Sequence, residues 1–298
     1  MVEPPLNVGV VDIGTNSMRL LITSGENEVG RWVEVTGLGR GVDRTGLLSE
    51  DATKETLEVF ARFGLLMELH GVERRKAIAT SASRDAANRE AFFDRSAHAL
   101  GVRPTLITGA EEARYAFAGA AGDMADSSRV VVSDIGGGST EFVTREWSVS
   151  VDIGSVRLTD RILVDRPATI LQLERASKHV RDLFAATSAS GAATAVGVAG
   201  TWTSLAAISS DLPGYEYGCV HGHVMDVADL DRLVGTLGGM TVEETASIPS
   251  LDPKRAPVIL SGAVIGREVL HHLGMDEIKI SERDTLDGVA AELLGYLA

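Results

Sequence analysis

Apolar runs and turn residues succeed one another from the start of the chain in a pattern that repeats once. Asn7 to Val11 is a β-branched run, Gly14 to Ser17 reads as a turn, and Met18 to Thr23 resumes an apolar strand, predicting a β-hairpin. Val29 to Val35 supplies a third strand. Ser49 then offers an N-cap, with Glu50 and Asp51 in the first helical turn where the dipole favours acids. Leu57, Phe60, Ala61 and Leu65 follow at helical spacing, and Gly71 stops the helix. A strand at Lys76 to Thr80, a helix from Asp85 to Leu100, a strand at Thr105 to Thr108 and a helix from Glu111 to Ala121 complete the first half.

The polar stretch Gly122 to Ser128 reads as a boundary, and the opening pattern then recurs. Arg129 to Ser133 is a strand, Ile135 to Thr140 a turn, Glu141 to Thr144 a strand and Trp147 to Ile153 a third. Helices are expected near Ala168 to Thr187, Thr201 to Ser210, Val227 to Leu237, Pro253 to His272 and Leu286 to Leu297, with strands at Ala195 to Ala199 and Glu277 to Ile280. Two units of three strands followed by alternating helices and strands form an internal repeat. The expected domains are 1–124 and 125–298, with the last helix packing back on the first domain. Mixed sheets covered by helices on both faces are the expected architecture, an α/β fold.

Composition narrows the function. The net charge of −14 argues against general binding of nucleic acid or anionic membranes. A polyanionic small substrate would need a local basic patch and a metal ion to overcome that field. Met1 to Pro5 lacks the basic region and apolar stretch of a secretory signal, and no apolar run is long enough to span a bilayer. A single cysteine, Cys219, suits a reducing cytoplasm, and in this setting reads as a small buried apolar residue rather than a nucleophile.

The candidate chemistry sits at strand ends. Asp12-Ile13-Gly14-Thr15-Asn16-Ser17 and Asp134-Ile135-Gly136-Gly137-Gly138-Ser139 each place an aspartate at the end of an apolar strand, followed by a turn rich in Gly, Ser and Thr. Glycines let the backbone approach an anion, successive N–H groups form an anion-binding nest, and the hydroxyls of Thr15, Ser17, Ser139 and Thr140 add donors. Asp12 and Asp134 could hold a magnesium ion that bridges the two halves to phosphates. A plain hairpin is the alternative for one copy, and two copies at the same offset weigh against it. A third Asp-Ile-Gly, Asp152 to Gly154, lacks the hydroxyl-rich turn and reads as a strand end outside any metal site.

Arg84 follows a short strand, in a loop where it either clamps a phosphate through its fork or lies solvated. Glu111 and Glu112 open a helix, as a general base for water or as ordinary first-turn acids. Gly197 to Thr201 is a further strand-to-helix turn that either receives an anion or packs helix on sheet. His221 and His223 lack a third ligand nearby and make a weak zinc signal. Arg40 either joins a basic lining or lies exposed.

With these pieces in order the chain resembles the exopolyphosphatase and guanosine pentaphosphate phosphohydrolase family, within the actin, heat-shock ATPase and sugar-kinase superfamily. The likeness rests on Val11 to Ser17, Thr80-Ser81-Ala82-Ser83-Arg84-Asp85, Glu111-Glu112-Ala113-Arg114, Asp134 to Glu141 and Gly154-Ser155-Val156-Arg157-Leu158-Thr159. It implies two actin-like (ribonuclease H-like) α/β domains with a cleft between them. Glu112 is implied as the general base, Arg84 as the phosphate clamp, and the turns Gly14 to Ser17 and Gly136 to Ser139 as phosphate loops. Asp12 and Asp134 are implied as metal or water-positioning carboxylates, with Mg2+, or Mn2+, as cofactor.

The expected reaction is hydrolysis of the terminal phosphoanhydride of polyphosphate, with release of orthophosphate. The chain lacks the extra helical region of longer relatives, which favours shorter polyphosphate. Removal of the 5′ phosphate from guanosine pentaphosphate is the alternative substrate reading. A kinase on the same scaffold and a non-catalytic polyphosphate or alarmone sensor are the more distant ones. No nucleic-acid or membrane partner is expected, and pairing as a homodimer is.

Overall fold

The computed structural model describes residues 6–25, 27–121, 124, 127–187 and 192–297. Two compact units result, Met1–Gly119 with Thr285–Ala298, and Ala120–Asp284. Of the polar stretch read as a boundary, Gly122, Asp123, Ala125 and Asp126 lie outside the described residues, as do Met1 to Pro5.

In the first unit the chain runs β1 (Asn7–Ile13), β2 (Ser17–Ser24), β3 (Asn27–Val35), α1 (Val42–Thr45), α2 (Glu50–Leu69), β4 (Arg74–Ala79), α3 (Ser81–Asp85), α4 (Arg89–Leu100), β5 (Thr105–Leu106) and α5 (Gly109–Ala121). The sheet order is β3-β2-β1-β4-β5. The first three strands are an antiparallel meander, and β4 and β5 join parallel to β1. The alternation of side chains along a strand then sorts the core into two layers. Val11, Ile13, Met18, Leu20 and Ile22 pack with Phe60, Phe63 and Phe92 from α2 and α4. Val8, Val10, Leu21 and Ile78 face the other way, against Tyr115 of α5 and Leu286, Val289 and Ala290. Each such fully buried side chain is worth about 1.5–3 kcal/mol of transfer free energy.

The second unit repeats the order. Strands β6 (Val130–Ile135), β7 (Thr140–Val143) and β8 (Ser148–Val151) form the meander, followed by α6 (Ser155–Arg161), α7 (Ile170–Phe184), β9 (Thr194–Val198) and α8 (Ala199–Ser209). After β10 (Val224–Asp226), α9 (Val227–Gly239), α10 (Val242–Ala246), α11 (Ile259–Leu273) and β11 (Glu277–Ile280), the chain returns to the first unit as α12 (Thr285–Leu293). The sheet order is β10-β11-β9-β6-β7-β8. Strands β9 and β11 run parallel to β6, so the first unit's plan is kept, with β10 added antiparallel at the edge. Trp202 of α8 is fully buried in this core. Gly197 makes room for it, since a Cβ there would lie 2.8 Å from the indole. The fold class expected from the sequence, α/β with two mixed-sheet units, is the one found.

Several local readings change. The helix expected over Asp85 to Leu100 is two, α3 and α4, because Ala86 leaves the helical region with φ −90° and ψ 123°. Along α2 the buried stripe is Thr56, Val59, Phe60, Phe63 and Met67, while Ala61 and Leu65 face outward. Gly64 turns that stripe onto α4, since a Cβ there would meet the Ala99 carbonyl oxygen at 2.2 Å. Cys219 is exposed, not buried, because it lies in the turn-rich segment before β10. No helix of the described residues is long and apolar enough to cross a membrane.

Candidate active site

The two Asp-led turns have the same backbone. Gly14 N–H donates to Ser17 O at 3.1 Å, and Gly136 N–H donates to Ser139 O at 3.0 Å. A Cβ on Gly14 would sit 2.9 Å from Ser17 O, so the tight closure requires glycine there. Each turn is braced by the segment after its third strand. In the first unit Gly39 N–H donates to Thr15 O at 2.7 Å, and Thr36 and Gly37 N–H donate to Asn16 O. In the second, Val156 and Arg157 N–H donate to Gly137 O at 2.8 and 3.1 Å, and Ser155 N–H to Gly136 O.

The braces also share a glycine. A Cβ on Gly39 would collide with Thr15 at 2.3 Å, and one on Gly154 with Gly137 at 2.4 Å. With the turn carbonyls drawn into these braces, the N–H groups of Thr15, Asn16, Gly137 and Gly138 donate no backbone hydrogen bond among the described residues. Carbonyls turned back and amides left over are what an anion nest needs.

The side chains on this common frame differ. In the β1–β2 hairpin Asp12 pairs in register with Arg19, and in the β6–β7 hairpin Asp134 pairs with Glu141. Arg19 grips Asp12 with two donors, Nε at 2.9 Å and Nη2 at 2.5 Å. Asp134 and Glu141 are both buried, and Glu141 Oε1 accepts from Ser150 Oγ at 2.6 Å. The position paired with the aspartate is therefore a guanidinium in one turn and a second carboxylate in the other.

Arg84 and Glu112 come together in the first unit. Arg84 Nη1 donates to Glu112 Oε2 at 3.0 Å and to the Ile107 carbonyl at 2.9 Å. Side-chain exposures of 24% and 12% exclude a freely solvated pair. Nε and Nη2 of Arg84 make no hydrogen bond to the described residues. Glu112 stands in the first turn of α5, whose Tyr115 packs on the sheet face of Val8 and Val10. Asp12 continues that row by alternation along β1.

Glu111 has a different role. Its carboxylate accepts from Thr108 N–H at 2.8 Å and from Thr108 Oγ1 at 2.9 Å, and its own N–H donates back to Thr108 Oγ1. This is a capping box. The Thr108 backbone and hydroxyl bonds hold the Glu111 carboxyl below its ordinary range, which makes it a poor base.

The remaining candidates have local explanations. Asp152 lies just past β8 and is exposed, while its neighbour Gly154 braces the second turn. Gly197 accommodates Trp202, and Gly200 accommodates the Arg255 guanidinium, whose nearest atom would lie 2.4 Å from a Cβ there. Gly197 thus serves the packing of α8 on its sheet, and Ala199 stands at φ +66°. His221 Nδ1 accepts from the Glu282 N–H, and His223 Nε2 lies 3.5 Å from Ser210 Oγ. Among the described residues no group of three or more His, Cys, Asp or Glu is placed to hold a metal ion. Arg40 is exposed.

The Ppx/GppA phosphatase family model matches residues 24–297 of this chain. The chain belongs to that family. Exopolyphosphatase 2 of Mycobacterium tuberculosis is 38% identical over 97% of this chain and 98% of its own length. The crystal structure of an exopolyphosphatase-like protein superposes with a TM-score of 0.93 at 32% identity, covering 98% of this chain and all of that one. The Ppx/GppA family member of Aquifex aeolicus superposes with a TM-score of 0.80 at 31% identity, covering 99% and 100%.

In this Ppx/GppA chain, residue-by-residue reading passed over three positions that the structure brings to the turns. Glu141 was legible from its seven-residue offset from Asp134, the same offset that separates Arg19 from Asp12. A two-residue change of direction in a hairpin puts those positions opposite one another. Gly39 and Gly154 carry no such signal, because the contact each permits is with a turn far away in sequence.

Proposed function

We propose that this chain hydrolyses the terminal phosphoanhydride of inorganic polyphosphate and releases orthophosphate. The observation that carries the reading is the Arg84–Glu112 pair, 3.0 Å apart at the start of α5 in the unit that carries the Asp12-led turn. A kinase needs to exclude water at this point, whereas a carboxylate next to a phosphate-directed guanidinium suits water as the nucleophile. The likeness to exopolyphosphatase 2 over nearly the full length of both chains supports the same substrate class.

In the proposed reaction the turn amides and the free edge of Arg84 hold the terminal phosphoryl group. Glu112 accepts a proton from water as the water oxygen bonds to phosphorus. The bridging P–O bond breaks and the shortened chain leaves with that electron pair. Positioning and charge stabilisation supply the rate, as phosphoryl transfer generally requires.

The reading puts a hard divalent cation, magnesium by preference, at the second turn. Asp134 and Glu141 are buried carboxylates at paired positions, and magnesium commonly takes one or two carboxylates with the substrate oxygens and water. Asp12 is held by the Arg19 guanidinium. When bound, the ion would neutralise charge on the phosphate oxygens. A reducing cytoplasm agrees with the exposed, unbridged Cys219.

The test is phosphate release from short polyphosphate, long polyphosphate and guanosine pentaphosphate, measured side by side. The reading expects the highest kcat/KM on short polyphosphate. Turnover of guanosine pentaphosphate alone would replace polyphosphate as substrate. Tight binding without release of phosphate from any of them would make the chain a sensor.

A further inference from the structure

The C-terminal helix touches the helix that bears Glu112, backbone to backbone. A Cβ on Gly288 of α12 would lie 2.1 Å from the Tyr115 carbonyl oxygen and 2.8 Å from Tyr115 Cα. Those are main-chain atoms of α5, which cannot swing aside as a side chain can. Tyr115 lies one helical turn beyond Glu112.

One turn along α12 from Gly288, Glu292 closes a second contact with the same helix. Its carboxylate accepts from Tyr115 Oη at 2.8 Å, Arg114 Nη2 at 2.9 Å and Lys76 Nζ at 2.5 Å. Lys76 Nζ donates also to Tyr115 Oη at 3.0 Å, tying the cluster to β4. The Lys76 hydrogen bond, with smaller help from Tyr115 and Arg114, holds the Glu292 carboxyl down at about 2, so it stays charged in ordinary buffers. The first turn of α12 is fixed in turn by Asp287, which accepts from Arg31 of β3 at 2.8 Å.

These contacts constrain two separate motions of α5. The Gly288 contact sets how closely α5 lies to α12, and the Glu292 cluster sets its rotation about its own axis. Rotation of α5 would carry Glu112 away from Arg84, which is anchored independently on the Ile107 carbonyl. We infer that α12 is the positioning element for Glu112, with Gly288 and Glu292 as its positioning residues. The inference rests on the phosphohydrolase reading above for its consequence in rate, and on geometry alone for its consequence in structure.

The experiment compares Gly288→Ala and Glu292→Gln, each alone and each combined with Glu112→Gln, in steady-state and single-turnover hydrolysis of tripolyphosphate. Misplacement by about 1 Å can cost up to about a hundredfold, so kcat should fall about tenfold to a hundredfold in Gly288→Ala and several-fold in Glu292→Gln, with KM within about twofold. On the Glu112→Gln background neither substitution should lower the residual rate by more than about twofold, because both act through that carboxylate. Wild-type kcat in a folded Gly288→Ala or Glu292→Gln variant would overturn the inference. So would a loss that adds in full to that of Glu112→Gln.

If Gly288→Ala does not fold, Glu292→Gln, which removes charge without changing volume, decides alone. Amide hydrogen exchange of α5 gives a readout independent of turnover. It should quicken in Glu292→Gln relative to α2, and unchanged protection would also overturn the inference. A wild-type chain that releases no phosphate from any phosphoanhydride would defeat the functional reading, leaving the exchange result to judge the positioning.

Discussion

Opposite Asp12, one strand over, stands Arg19; opposite Asp134, at the same step of the repeat, stands Glu141. Around these residues the backbone is nearly the same in both units. A glycine N–H closes each turn onto a serine carbonyl, and a second glycine lets the following segment brace it. The repeat has kept the cradle and changed the charge. A phosphate cradle depends on main-chain amides, which any suitable turn supplies, whereas the sign of the charge at its mouth decides what can share the site. The first unit adds the Arg84–Glu112 pair, to which we assign the chemistry. The second turn, with two acids at paired positions, is where we propose a cation binds.

The largest expected effect falls on the chemistry of the first unit. Glu112→Gln keeps the shape of the side chain and removes its basicity, and general-base loss costs about a hundredfold to ten-thousandfold. Phosphate release should therefore nearly vanish while substrate binding, read by calorimetry, stays close to wild type. Normal turnover would take Glu112 out of the mechanism and leave the two units chemically alike.

Next in size is the shared cradle. Gly154→Val places a branched side chain where even one carbon meets Gly137 backbone at 2.4 Å. Overpacking of this kind costs about 1–3 kcal/mol, and the second turn should lose its shape with it. A lowered melting temperature and a kcat reduced well beyond the share of unfolded protein are the expected results. Full activity in a folded Gly154→Val chain would mean that the brace does not hold the turn.

The smallest effect concerns what holds the first unit's helix. The Glu292 carboxyl is depressed to about 2 from its usual 4.5, chiefly by Lys76. A depressed acid adds stability that is complete above its unfolded value and disappears as pH falls through its folded one. The wild type should therefore melt a little higher than Glu292→Gln at neutral pH, with the gap closing below pH 4.5 towards 2. Thermal melts across that range check this; a gap independent of pH would assign the difference to packing.

Much of this arrangement was legible in the sequence because it depends on neighbours in the chain. The strand runs, Ser49 as an N-cap and Gly71 as a stop are local events, and they appear where the pattern put them. The repeat was legible for the same reason, since each Asp-led turn is six consecutive residues. Helical spacing gave the period of α2 but not its buried side: Ala61 and Leu65 are exposed, and Gly64 sets the orientation by packing on Ala99. The choice between Glu111 and Glu112 was closed to local reasoning too. It depends on Thr108 capturing one acid and Arg84 the other, and Arg84 comes from 28 residues upstream. Cys219 was misassigned because composition says nothing of which turns face solvent.

The division of charge between the two turns can be measured without turnover, by titrating Mn2+ into the protein and following free ion by electron paramagnetic resonance. Glu141→Gln should weaken Mn2+ binding by about tenfold or more, as expected for loss of a carboxylate near the ion, while Asp12→Asn should leave it within about twofold. Equal losses in both variants, or a loss confined to Asp12→Asn, would contradict the assignment of the cation to the second turn.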